Sequence, residues 1–536
     1  MTSASLDFRD RSRPFAALDG QRFDLLIIGG GVTGAGVARD AAMRGLSVAL
    51  VEARDFASGT SSRSSKMIHG GLRYLPQGDI ALVREAASER KIVQAIAPHL
   101  ARQTPFVMPA RNQASIARLQ AGLWTFEKLG GVPKDRRHQV WSPAEVAERE
   151  PAIDRSDLAG AVVYPEYLTE DARLTLANVR SAQAAGAVVA SYARVEEILL
   201  ENGRAAGARI VEAPEIGDRQ ARVLAKVVVN AAGPWVDALR ALESAAAPSR
   251  LRLTKGIHLV VDRDRLPVNR TVIMSAADRR SVFAVPKGAF TYVGTTDTFY
   301  EVADYWPRIE PADVDYLLAA CSARFSTAAL RACDVVSAWA GVRPLVAEEG
   351  KAASDISRRD EIWTGPGGVL SIAGGKLTAY RKMAERIVDL AEAALGRKHV
   401  KSKTASTPLV GGDVDVDATE AALRAGGLAE LAAQRLVALY GSEASAIAVA
   451  GGDPAAEARH AVLHEGALTL EDWWVRRSGR AWFDQNGGMD ALAPAAAEMA
   501  ALLSWSASRT ARQVEACRKM HQDTLASLTA PATTEA

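Results

Sequence analysis

Three glycines at Gly29-x-Gly31-x-x-Gly34, an acid at Glu52 and a hydroxyl-rich run at residues 58–66 are the first residues in the chain whose types and spacing could do chemistry. Gly29 allows a tight turn, Gly31 lets backbone N–H groups approach a pyrophosphate, and Gly34 lets a helix pack close to a strand. The helix N-terminus adds the positive end of its dipole. Glu52 suits hydrogen bonding to ribose hydroxyls and repels a 2′-phosphate, which disfavours NADP. Glycines at this spacing are a common turn by themselves; a strand before, a helix after and the acid beyond turn them into a dinucleotide fingerprint. Thr60, Ser61, Ser62, Ser65 and Lys66 follow, and small hydroxyls and backbone amides can line a long embedded cofactor, which favours FAD over NAD.

A strand, a helix and a second strand must hold this turn. Residues 23–29 (FDLLIIG) are a short apolar run that the glycines end sharply, as in a buried parallel strand. Residues 32–44 place small and apolar side chains at helical spacing, Gly45 stands at a C-cap, and residues 46–52 (LSVALVE) read as the second strand. Together they make a βαβ unit with a right-handed crossover. Further strands are expected at 187–190, 208–212, 225–230, 258–261, 281–285 and 291–294, and helices at 79–97 and 171–185. The reading is α/β. Residues 1–20 are expected to be an N-terminal tail, 401–412 a linker, 413–528 an Ala-rich helical domain, and 529–536 a disordered tail.

The composition narrows the function classes. With 536 residues the chain can form two or three domains. A net charge of +2 offers no global field for nucleic acid. Three cysteines, irregularly spaced, suit neither a disulfide framework nor a zinc knuckle and read as reduced thiols of a cytoplasmic protein. No secretory or membrane-spanning run is expected. Residues 119–129 (LQAGLWTFEKL), followed by Lys134, Arg136, Arg137 and His138, could seat on an anionic membrane surface or pack on the core. His460 and His464 lie four apart but no signature supplies further ligands, so they read as surface residues and no metal is expected.

Residues 55–75 closely resemble the FAD-dependent, quinone-linked glycerol-3-phosphate dehydrogenases. So do Asn230-Ala-Ala-Gly-Pro-Trp235, Lys255-Gly-Ile-His258, Gly341-Val-Arg-Pro-Leu345, Gly374-Gly-Lys-Leu-Thr-Ala-Tyr-Arg381 and Asp472-Trp-Trp-Val-Arg-Arg477, in the family's order, from about residue 21 to about 510. Ala232 and Ile257 depart from it, where members tend to have Thr and Ser. The resemblance implies residues 21–400 as an FAD-binding Rossmann-like domain interleaved with a mixed-sheet substrate domain, with a helical C-terminal cap. It implies oxidation of sn-glycerol 3-phosphate to dihydroxyacetone phosphate by hydride transfer to FAD N5. Electrons would pass to the quinone pool, from a cytoplasmic protein peripheral on the inner face of the membrane, and a homodimer stays open.

The resemblance also assigns roles. His258 would take the hydroxyl proton and Arg343 would stabilise charge on that oxygen. Arg73, Tyr74, Arg358 and Lys376 would grip the phosphate, with Arg359 exchanging with Arg358 under a one-residue shift. Gly374, Gly375, Leu377 and Thr378 would close over the flavin ring, where a helix N-terminus stabilises the anionic reduced form. Gly233, His69 and Gly70 would lie along the cofactor. A histidine near His69 is joined to flavin in related amine-oxidising enzymes, whereas this family resembles non-covalent FAD proteins. Two rivals keep the fold: a soluble glycerol-3-phosphate oxidase using oxygen, and an amine- or amino-acid-oxidising flavoenzyme needing a carboxylate site.

Overall fold

The computed structural model describes residues 5–70, 80–327, 329–347 and 360–529. Strand Arg22–Ile28 sits at the centre of the first sheet, parallel to Val48–Val51 on one side and to Gln220–Asn230 on the other. Val188–Ala190 and Leu370–Gly374 extend it in parallel. All four residues of Val48–Val51 are buried, because helices cover one face of the sheet while Phe15, Leu18 and the strands Ala193–Glu201 and Arg204–Glu212 cover the other, and the sequence there is accordingly apolar without alternation. Helix Val32–Met43 packs between this sheet and helices Asp171–Ala184 and Tyr380–Ala394.

The second sheet is mostly antiparallel. Leu251–Asp262 pairs with Val335–Val346 and Phe290–Gly294, and the sheet continues through Ser281–Lys287 and Thr271–Ser275 to Ala101–Ala110 and Gly160–Thr169. The chain passes between the two sheets several times, which is the interleaving of a cofactor domain with a substrate domain. Three long strands escape a reading of the sequence. Ala101–Ala110 and Gly160–Thr169 oppose Pro105 to Pro165, and Val335–Val346 contains Pro344. Proline normally argues against a strand interior and here occupies positions that give no ladder N–H.

Residues 5–18, expected as a tail, are packed. Leu6 bridges to Glu465, Arg11 donates to Glu212 Oε1 at 2.8 Å and to the Ser191 carbonyl at 2.6 Å, and helix Ser12–Leu18 buries Phe15 and Leu18. The 401–412 segment is likewise seated: Arg39 donates to the Thr407 carbonyl at 2.6 Å, and Leu409 is buried. Of the expected disordered tail, residues 530–536 lie outside the described residues.

In helix Gln113–Gly130 the apolar face divides. Leu123 and Phe126 enter the core, Trp124 is 54% exposed with the Lys128 ammonium 5.0 Å above its ring, and His138 turns to Glu127. No described helix is long and apolar enough to cross a membrane.

The C-terminal part is helical, and its π-helical turn Asp472–Arg477 docks on the cofactor domain. Both Arg476 and Arg477 pair with the buried carboxylate of Asp55. His460 is buried rather than at the surface, beside the buried carboxylate of Glu465 and the half-buried one of Glu443. Its Nε2 lies 3.6 Å from Glu443 and from Glu465, which already hold the guanidiniums of Arg180 and Arg173. His464 keeps its ring 4.9 Å from that of His460, and its Nδ1 lies 3.2 Å from Ser5 Oγ.

Candidate active site

The glycine turn is built by packing as well as by backbone freedom. Gly29 has φ +113°, and a Cβ there would meet the Ala231 carbonyl oxygen at 2.6 Å. A Cβ on Gly34 would overlap the Gly29 carbonyl, so helix and strand touch backbone to backbone. The Ser61 hydroxyl accepts from Val32 N at 2.9 Å. Glu52 Oε2 accepts from Gly30 N at 2.7 Å and its Oε1 from Arg54 N at 2.9 Å, and burial raises this carboxyl above its ordinary value.

A cavity of about 750 Å³ runs from this turn to the second sheet. Its wall includes Gly29, Gly31, Glu52, Thr60, Ser61, Ser65, His69, Gly233, Gly374, Gly375, Leu377 and Thr378, and also His258, Arg343 and Lys376. The sequence-expected residues that miss the wall have other work. Gly34 serves packing; Ser62 is buried against the Gly59 carbonyl; Lys66 folds back to Asp171 at 2.7 Å and to the Ser62 carbonyl at 3.2 Å. Gly70 gives its N–H to Glu166, and a side chain there would strike Phe126. Ser62, Lys66 and Gly70 thus each engage a protein partner, and an all-polar run cannot show which of its members turn toward the cavity. Arg73, Tyr74, Arg358 and the neighbouring Arg359 lie outside the described residues.

One face of the second sheet carries both His258 and Arg343. Successive strand residues alternate faces, so Thr254, Gly256 and His258 share a face, as do Trp339, Gly341 and Arg343 opposite them. His258 packs on Gly294, where a Cβ would run into the imidazole, and Arg343 packs on Gly256, where a Cβ would run into the guanidinium. Both platforms must be glycine. His258 Nε2 lies 2.9 Å from Ser65 Oγ, and the ring stacks on Trp339. Burial first, then the positive charges of Arg343 and Lys66, hold His258 well below the ordinary imidazole value, so it is neutral near pH 7. Arg343 donates to Asp297 Oδ1 at 3.0 Å, to Thr295 Oγ1 at 2.9 Å and to the Thr296 carbonyl at 3.2 Å, which fixes its guanidinium. Thr378 Oγ1 donates to the His69 carbonyl at 3.1 Å, tying the Gly374–Gly375 turn to the segment that follows the hydroxyl-rich run.

Sequence reasoning missed Trp339 and Asp297. The alternation Trp339-x-Gly341-x-Arg343 and the run Gly294-Thr-Thr-Asp297 were the available signals.

A glycine-turned βαβ unit with a ribose acid, opening on a cavity whose far wall holds a neutral imidazole and a fixed cation, defines a flavin-dependent oxidoreductase. The comparisons agree. The family described as FAD dependent oxidoreductase matches residues 24–381, and the C-terminal domain of alpha-glycerophosphate oxidase matches residues 402–510. The aerobic glycerol-3-phosphate dehydrogenase of Bacillus subtilis is 41% identical over 89% of this chain and 90% of its own length. That of Staphylococcus haemolyticus is 38% identical over 92% and 93%. The crystal structure of the Bacillus halodurans glycerol-3-phosphate dehydrogenase complexed with FAD superposes with a TM-score of 0.81 at 33% identity, over 99% of this chain and 100% of that one. The chain belongs to the aerobic glycerol-3-phosphate dehydrogenase family.

The residues present fit FAD. Gly233, with φ +57° and open space where a Cβ would stand, and the helix N-terminus at Gly31–Thr33 leave room along the cavity for a diphosphate, and Glu52, on the same wall, would face its ribose.

Proposed function

We propose that the chain oxidises sn-glycerol 3-phosphate to dihydroxyacetone phosphate and passes the electrons to membrane quinone. The observation that carries this reading is the shared sheet face of His258 and Arg343, both lining the cavity that suits FAD. FAD, when bound, supplies the acceptor for the hydride that leaves the carbinol carbon.

The side chains supply the rest. A neutral imidazole has a ring nitrogen able to accept a proton. We assign the carbinol proton to His258 Nε2, with the Ser65 hydroxyl, itself on the cavity wall, as its partner. Arg343 favours negative charge on the oxygen as that proton departs, because its guanidinium is already held and need not reorganise. Lys376 lines the same cavity and would bind the phosphate, with Arg73, Tyr74 and Arg358 as further candidates. Approach to a membrane surface is supported by Trp124, exposed beside Lys128 on a helix that buries Ile116, Leu123 and Phe126 on its other side. Flotation with anionic vesicles tests that part, and protein left at the bottom of the gradient would remove it.

Anaerobic titration with glycerol 3-phosphate tests the activity: flavin absorbance should bleach at one equivalent. An unbleached flavin would overturn the substrate. A second reading, oxygen as acceptor, is favoured by the glycerophosphate oxidase match at residues 402–510. Stoichiometric hydrogen peroxide from the reduced protein in air, with no turnover of quinone analogues, would select it.

A further inference from the structure

The segment after Glu52 forms the ribose end of the cavity, and the C-terminal helices hold it although they do not line it. Asp55 is fully buried between two guanidiniums: Arg477 Nη2 reaches its Oδ1 at 2.8 Å, while Arg476 Nε and Arg477 Nη1 reach its Oδ2. Arg476 Nη1 also donates to the Tyr305 hydroxyl at 2.8 Å and to Glu471 at 2.7 Å, and Tyr305 in turn donates to Glu471. The Tyr305 ring carries the Arg54 guanidinium 4.0 Å from its centroid, and both residues are on the cavity wall with Glu52.

The opposite side of the segment is held from the same domain. Tyr192 N donates to the Arg54 carbonyl at 2.7 Å and Ala193 N to the Glu52 carbonyl at 2.8 Å, while the Tyr192 hydroxyl donates to Asp472 Oδ1 at 2.7 Å. Arg476 closes this ring through its Nη2, 2.8 Å from Asp472. Residues 52–55 and Tyr305 come from different parts of the chain, and Arg476 contacts both through one side chain.

We propose that Arg476 is a positioning residue for the adenosine half of FAD, acting through Asp55 and Tyr305 on the wall made by Glu52, Arg54 and Tyr305. The C-terminal domain thereby sets cofactor affinity from outside the cavity.

The test needs no substrate, so its outcome is independent of the activity proposed above. Apoprotein of Tyr305→Phe and of Arg476→Lys is titrated with FAD and with FMN, which lacks the adenosine half, following flavin fluorescence. Tyr305→Phe removes only the hydroxyl that Arg476 and Glu471 grip, and so avoids stranding a buried charge. FAD affinity should fall about tenfold in both variants while FMN affinity stays unchanged, a selective loss that general destabilisation cannot give. Unchanged FAD affinity in both variants, or equal losses for FAD and FMN, would overturn the proposal.

Discussion

The imidazole of His258 lies flat on the indole of Trp339, with 4.7 Å between ring centroids and 11° between ring planes. The two residues face each other across adjacent strands, so the indole removes water from one side of the ring. Burial is the first cause of the neutral state of His258, and loss of that cover should restore an ordinary titration. Trp339→Ala should therefore add an acid limb, with flavin reduction slowing as pH falls through about 6.5, where the parent stays level. Stopped-flow reduction across this range is the measurement; identical profiles would show that the indole does not set the charge state.

Gly256 is the floor under Arg343. A methyl group there must displace the guanidinium, because the strand backbone is held by Gly341 opposite and, one residue before, by the Lys255–Thr298 pairing on its other edge. Gly256→Ala should slow flavin reduction by about ten- to a hundredfold, the effect expected from an ångström-scale misplacement. FAD content should be unchanged, and its loss would place the damage in the cofactor domain instead.

Arg343 and Lys376 should separate kinetically. Arg343→Ala removes charge stabilisation that matters as the reaction proceeds and should lower the limiting rate far more than it weakens binding. Lys376→Ala should chiefly raise the half-saturating concentration of glycerol 3-phosphate. Equal rate losses with unchanged saturation in both variants would mean that the roles are misassigned.

The cofactor end was legible in the sequence because its chemistry is local. Gly29, Gly31, Gly34 and Glu52 fall within one βαβ unit, and the spacing itself encodes the geometry. His258 and Arg343 are different: each came from resemblance, and only the register of Leu251–Asp262 against Val335–Val346 puts them on one face. Lys66 shows the converse, a residue in the right run whose side chain is claimed by Asp171 over a hundred positions later. Arg476 and Arg477 stood in a recognised motif, yet their partner, Asp55, belongs to another, and no local pattern links the two.

Stability should depend on the buried histidines. Burial pushes His99 down to about 3, and His258 also lies well below its ordinary value, so both stay neutral in the native state where an unfolded chain would protonate near pH 6.5. The unfolded state then binds more protons, and stability is lost as pH falls below about 6.5, by about 1.4 kcal/mol per pH unit for each ring. His460, raised above its ordinary value as Glu443 and Glu465 outweigh its burial, acts in the opposite direction, so the comparison must be between variants. Melting temperature of His99→Gln should fall less steeply between about pH 6.5 and 5 than that of the parent; parallel slopes would exclude His99 from the acid response.

Leu6 donates its N–H to the His464 carbonyl at 3.0 Å and bridges to Glu465, while the Ser5 hydroxyl reaches the Leu463 carbonyl. During synthesis Ser5 and Leu6 leave the ribosome long before helix Pro454–Glu465 is made, so these contacts must wait for its translation. Closure of this clasp is thus among the last events of maturation, and a bulky tag fused ahead of it would hinder assembly of a region far away along the polypeptide.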